Sequence, residues 1–211
     1  MTSSFPSAIL IATLAVGVSQ RAQGISLAIQ PLDQEVTLGS PVTLSVSISG
    51  LGAGISPSLG AFDFDLQYNP AILSLNGVTF GDPSSGDQLA PTVPSITGFS
   101  NDPVNGLVNQ FEVSLETPSD LDNSQLSSFI LTTLSFNALA TGSSNIEISN
   151  LVMGDSEGDP LFADAVEGGR VLIRSGSAVA DSGESMLLLA MGLTTVFAIG
   201  FHQRTCKPSH P

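Results

Sequence analysis

Five residues, Asp155-Ser156-Glu157-Gly158-Asp159, place oxygen donors at alternating positions, an arrangement that suits a hard cation such as calcium. Asp164 stands close by in sequence, so Asp155, Glu157, Asp159 and Asp164 form a candidate ligand set. The EF-hand template is not met: its sixth position holds Pro160 rather than glycine, and its twelfth holds Val166, with Glu167 one place further on. The reading is therefore a looser calcium loop, set against a plain solvated acidic turn. No other cofactor is indicated. A second group, Asp63, Asp65 and Gln67, repeats at every other position and would line one face of a strand. Such a row fits a partner-binding patch, or simply a polar face that keeps a sheet soluble.

Absent residues exclude more chemistry than present ones suggest. Between residues 25 and 174 there is no histidine, cysteine, lysine or tryptophan. That removes Ser-His-Asp and Cys-His nucleophiles, lysine Schiff bases and zinc sites built on His or Cys. A carboxylate pair of the glycosidase kind would remain, but a single tyrosine and no tryptophan leave little to hold a sugar ring. The expectation is a non-catalytic protein. The formal net charge of −14 excludes nucleic acid, whose phosphates need a basic footprint, and leaves cations, neutral glycans or a basic protein as partners.

The elements that would position these groups read as strands. Val42, Leu44, Val46 and Ile48 alternate with Thr43, Ser45 and Ser47; Phe62, Phe64, Leu66 and Tyr68 alternate with Asp63, Asp65 and Gln67. Phe111, Val113 and Leu115 alternate with Glu112, Ser114 and Glu116, and the period returns at Leu134, Phe136 and Ala138, at Ile146 and Ile148, and at Val171 and Ile173. Phe62, Phe64, Phe111 and Phe136 all take the inward positions in this reading. Glycine, proline and asparagine punctuate the runs, with short helical turns expected near Asn69-Pro70-Ala71 or between Leu121 and Leu126. Many short, half-buried strands imply an all-β, antiparallel sandwich or jelly roll. With one cysteine, Cys206, in the tail, its stability must come from the core.

Both ends differ from the middle. Residues 1–24 carry an apolar run, Ser7 to Val18, then the small-x-small triplet Ala22-Gln23-Gly24, the layout of a secretion signal cleaved after Gly24. Residues 25–174 form the domain, 175–185 a polar linker, 186–203 a segment apolar on every side, and 204–211 a short tail with Arg204 and Lys207. The apolar segment is read as a short membrane helix, and the basic tail would stay in the cytoplasm with the domain outside.

Val179-Ala180-Asp181-Ser182-Gly183, the apolar segment and the basic tail together resemble the PEP-CTERM sorting signals in their Val-Pro-Asp-Ser-Gly variant, with Ala180 in place of proline. The resemblance implies a sorting motif at Val179, Asp181, Ser182 and Gly183, recognised by an exosortase-type enzyme after passage through the export machinery. It implies a route across a bacterial inner membrane to the cell surface or extracellular matrix, with the membrane engaged through the C-terminal segment. The middle resembles a cohesin-type domain of the carbohydrate-binding-module-like superfamily. The stretches that carry this are Val36 to Ser40, GAFDFDLQYNPAILSLNGVTFGD from Gly60, SFILTTLSFNALATG from Ser128 and MGDSEGDPL from Met153. That resemblance implies a sandwich with a protein-binding sheet face, and a polysaccharide ligand is the alternative.

Overall fold

The computed structural model describes residues 24–176. Of the expected terminal features, only Gly24 falls within that range; the rest of the secretion signal, the sorting motif and the apolar segment lie outside the described residues. Among the described residues no helix is long and apolar enough to cross a membrane.

Two sheets enclose one core. The smaller runs in the order β11 (Ala165–Glu167), β1 (Ser26–Gln30), β3 (Pro41–Ser49), β8 (Ser128–Ala138), β5 (Leu73–Phe80). The larger runs β2 (Asp33–Thr37), β12 (Gly169–Arg174), β9 (Gly142–Asp155), β4 (Leu59–Gln67), β7 (Leu107–Val113), β6 (Ile96–Asp102), with β10 (Pro160–Leu161) paired to the end of β9. Where the period of two is strict, the strands obey it. Val42, Leu44, Val46 and Ile48 of β3 are all fully buried, while Ser45 and Ser47 on the other face reach Thr133 and the Ala28 carbonyl. Phe64 and Phe136 are the largest fully buried side chains. Phe62 stacks on Phe64 at 5.5 Å, and Tyr68 meets Phe136 edge-on at 5.2 Å.

The sandwich is not wholly antiparallel, which corrects the sequence expectation. β1 pairs parallel with β11, and β2 parallel with β12. The cause is a shared path: the chain crosses from the smaller sheet to the larger between β1 and β2, and again in the same sense between β11 and β12. The two terminal segments therefore lie side by side in both sheets. Arg170 N donates to the Leu32 carbonyl at 2.7 Å, and Arg174 pairs with Glu35. The second crossing needs glycine because there is no room for a side chain: a Cβ on Gly169 would stand 2.6 Å from Ile29 Cγ2.

A second correction concerns β7. Val108, Gln110 and Glu112 point into the sandwich and are fully buried, whereas Phe111 and Val113 face outward, the reverse of the phase expected from the apolar residues. Leu115, just beyond the strand, is also exposed.

The one helix among the described residues, α1 (Pro118–Ser124), begins at Thr117, whose hydroxyl accepts from Asp120 N, and has proline in its first turn. It buries Leu121 and delivers Gln125 to the start of β4. There Gln125 Oε1 accepts from Leu59 N at 2.5 Å, and Gln125 Nε2 donates to the Leu59 carbonyl at 3.0 Å. One buried amide thus substitutes for a neighbouring strand. Replacing it should leave both Leu59 groups unpaired, so Gln125→Ala is expected to cost about 2–4 kcal/mol in urea unfolding. Gln88→Ala, which removes a single exposed contact to Leu126 N, should cost about 1 kcal/mol or less.

Candidate functional site

Registers across β9, β4, β7 and β6 define the outward face as four rungs. The first is Gly154, Ala61, Val113 and Ile96; the second is Val152, Asp63, Phe111 and Gly98. The third is Ser149, Asp65, Asn109 and Ser100, and the fourth is Glu147, Gln67, Leu107 and Asp102. Side chains on one rung are neighbours on one face, so the face grades from apolar at one end to amide and carboxylate at the other. Val152 is 67% exposed, Ile96 53%, Val113 40% and Phe111 36%.

Phe111 is held by the strand beside it. A Cβ on Gly98 would lie 2.6 Å from the Phe111 ring, so the ring lies flat over that glycine at the sheet edge. An open groove of about 620 Å³ runs along the first two rungs. Ala61, Phe111, Val113 and Val152 lie on it, and Glu116 and the turn at Glu157 and Gly158 form part of its rim. Glu116 takes hydrogen bonds from the Thr92 and Val93 amides at 2.6 Å, which hold its carboxyl below the usual range and tie down the segment leading into β6.

The sequence-predicted row sits next to this groove. Asp63 and Gln67 are exposed and Asp65 half-buried, all on the outer face. Asn109 Nδ2 donates to Asp63 Oδ1 at 2.7 Å and to Asp65 Oδ1 at 3.0 Å, and Asn150 Nδ2 donates to Asp65 Oδ2 at 2.6 Å. Asn150 is placed by a bulge. The register of β9 on β4 shifts between Asp63 and Asp65, and Asn150 takes φ 52°, a left-handed conformation that asparagine tolerates better than most residues. The sequence reading named the two aspartates and Gln67 but missed Asn109, Asn150, Phe111, Val113, Val152 and Ile96. The break in alternation at Ser149-Asn150 was the available signal for the bulge.

The acidic turn closes on itself. Asp155 Oδ1 accepts from Glu157 N at 2.9 Å and from Asp159 N at 2.8 Å, so this oxygen organises the turn between β9 and β10. Asp164 lies elsewhere, beside Gly24, with its amide donating to the Ile25 carbonyl. Among the described residues no three His, Cys, Asp or Glu side chains converge as a metal-holding group.

Beneath the outer face, the other phase of β7 buries a carboxyl. Ser95 Oγ donates to Glu112 Oε1 at 2.5 Å, and Asp87 lies alongside. Removal from water, with the neighbouring Asp87 carboxyl adding to it, pushes the Glu112 pKa up to about 8. The only cationic side chains in residues 24–176 are Arg170 and Arg174, both on β12, so no base from this domain neutralises the pair.

No protein-family model matches the chain, and no curated protein matches it by sequence. Solved structures match it in fold. A Clostridium thermocellum cohesin, solved in a type I cohesin–dockerin complex, aligns over 72% of this chain and 100% of its own with 15% identity and a TM-score of 0.57. A Clostridium acetobutylicum domain covers 75% of this chain and 95% of its own at 18% identity and 0.55. A non-cellulosomal cohesin from the archaeon Archaeoglobus fulgidus covers 73% and 92% at 15% identity and 0.51. At these identities the likeness is one of fold: an all-β sandwich of the cohesin type.

Glu112 gives a pH test. Its folded pKa lies above the ordinary 4.5, so the folded state binds more protons than the unfolded state between the two values. Its contribution to stability is therefore complete below about 4.5, declines as the pH rises, and is lost above about 8. In buffer with EDTA the thermal midpoint should fall between about pH 6 and about pH 9, and Glu112→Gln should flatten most of that fall. An equal fall in both proteins would contradict the assignment.

Proposed function

We propose that the domain is a non-catalytic recognition module that docks a protein partner on the outer face of β9, β4, β7 and β6. The observation that carries this reading is the graded face, with Val152, Phe111, Val113 and Ile96 bare at one end and the Asp63–Asn109–Asp65–Asn150 network at the other. Exposed apolar side chains grouped beside ordered polar groups are a usual mark of an interaction surface. The fitting partner presents apolar anchors flanked by Lys or Arg, because the rim carries Glu116 and Glu157 and no cation. Solved neighbours caught as cohesin–dockerin complexes support a protein ligand over the polysaccharide alternative. A sugar platform would need more aromatic area than the Phe111 ring provides.

The reading extends to destination. The N-terminal signal and the motif at Val179, Asp181, Ser182 and Gly183 support export across a bacterial inner membrane and exosortase-type sorting to the surface or matrix. A module in that place would connect proteins outside the cell.

The test uses the full chain as bait against surface and extracellular proteins of its host. The recovered protein is then titrated against the wild type, Val152→Asp on the proposed face, and Thr43→Asp on the smaller sheet. Val152→Asp should weaken binding about 30-fold or more, as loss of a central anchor does, and Thr43→Asp should leave it unchanged. Retention of host polysaccharide and no protein, or sensitivity to Thr43→Asp alone, would refute the proposal.

A further inference from the structure

Four strands close the edges of the two sheets: β11 and β5 in the smaller, β2 and β6 in the larger. An edge leaves backbone donors and acceptors free to pair with another chain, and folded proteins usually guard it with shortness, charge, proline or a bulge. Three of these edges are guarded. β11 has only three residues and ends in Glu167. β2 has five, with Asp33 and Glu35 exposed along it. β5 is broken by a register shift between Leu75 and Gly77.

β6 has none of these devices. It runs for seven residues with no proline and no charge before Asp102 at its end. Its register on β7 is unbroken, and an antiparallel ladder turns about half of its backbone groups away from β7. Among the described residues, no backbone–backbone hydrogen bond outside that ladder reaches residues 96–101. Every residue of the strand except Gly98 is exposed, so no described segment covers the edge. Both of its faces are open: Ile96 lies on the outer face, and Phe99, which the register sets beside the inward Gln110, is still 49% exposed.

Charge decides what can add to this edge. Pairing two copies of the chain would bring two strongly acidic domains together, because the net charge is −14 and the only arginines between residues 24 and 176 lie on β12, toward the opposite edge of the sheet. A neutral or basic strand from another protein meets no such repulsion. The side chains of β6 set its pattern. Ile96 and Phe99 offer apolar contacts, and Gly98 leaves the rim of the Phe111 ring open beside it. Asp102 offers negative charge: its carboxyl accepts from Asn105 Nδ2 at 2.7 Å, which holds it below the usual range. Strand addition draws affinity from the main chain and specificity from alternate side chains.

We infer that β6 accepts an extended segment of a partner protein as an added antiparallel strand, apolar beside Ile96 and Phe99 and carrying Lys or Arg beside Asp102. This deepens the docking reading, on which it rests for the partner being a protein, and continues the outer face by one strand.

A fluorescein-labelled peptide, Lys-Thr-Thr-Ile-Tyr-Thr-Val, is the antiparallel complement of β6 read from Asp102 to Ile96, and its anisotropy with the full chain tests the inference. The wild type should bind it saturably, with a Kd of about 100 µM or tighter. Two forms of the peptide carry N-methyl groups on alternate backbone nitrogens, at the second, fourth and sixth residues or at the third, fifth and seventh. One form should bind at least about ten-fold more weakly than the other, because only alternate N–H groups of an added strand face β6. Phe99→Lys, which places an inward charge on the edge, should weaken binding about ten-fold or more. Ser100→Lys should do the same on the outer side should the first variant fail to fold, with circular dichroism confirming the fold of each. Val152→Asp, on β9 three strands and about 14 Å away, should leave peptide binding unchanged, which separates this test from that of the outer face. No saturable binding up to about 1 mM, equal affinity of the two methylated peptides, or a dimer of the chain in sedimentation that Phe99→Lys dissociates would overturn the inference.

Discussion

The side-chain phase of β7 governs both faces of the larger sheet. The strand pairs with β4 and β6 over its whole length without a register shift, so its residues can take only one of two settings. With Val108 turned inward, Gln110 and Glu112 must follow it, and Phe111 and Val113 must face out. The setting has a cost, since a carboxyl and an amide occupy places where Phe62, Phe64 and Leu66 supply an apolar layer on the adjoining strand. Protonation of Glu112 and its contact with Ser95 offset part of that cost. What results is a bare apolar end on the outer face and a polar cluster beneath it. One residue of slip would exchange the two and erase both.

Much of the fold is written as alternation. In β3, in β4 from Phe62 onward and in β8 from Leu134 onward, one phase is apolar throughout and the other polar, so the buried face is unambiguous from the residues. β7 misleads because Phe111, Val113 and Leu115 outnumber Val108, and a local count cannot see that tertiary pairing favours the minority. Asn150 hides the continuation of β9 for a related reason: a bulge breaks the period, so Val152 emerges on the outer face where simple alternation from Ile148 would turn it inward. The parallel pairs at the chain ends were illegible because they join residues far apart in sequence, and only the repeated crossing between sheets brings them together.

The candidate site shows the same division. Asp63, Asp65 and Gln67 were legible as an outward row, since they share a strand with an evident buried face. Their partners were not, because Asn109 and Asn150 come from two other strands. The domain holds this face without a disulfide. Its support is the layer of Phe62, Phe64 and Phe136 under β4, the Gln125 side chain that completes the start of β4, and the two terminal segments that share both sheets. A rigid sheet presenting a fixed pattern of side chains needs little reordering on binding, which favours recognition.

The phase of β7 can be read directly by thiol labelling. In a Cys206→Ser background, Val113→Cys and Glu112→Cys place a single thiol at adjacent positions of one strand. The account predicts that the thiol at 113 reacts with a water-soluble reagent at nearly the rate of an unfolded chain, and that the thiol at 112 is protected about a hundred-fold or more under native conditions. Equal rates, or protection at 113 with rapid reaction at 112, would contradict it.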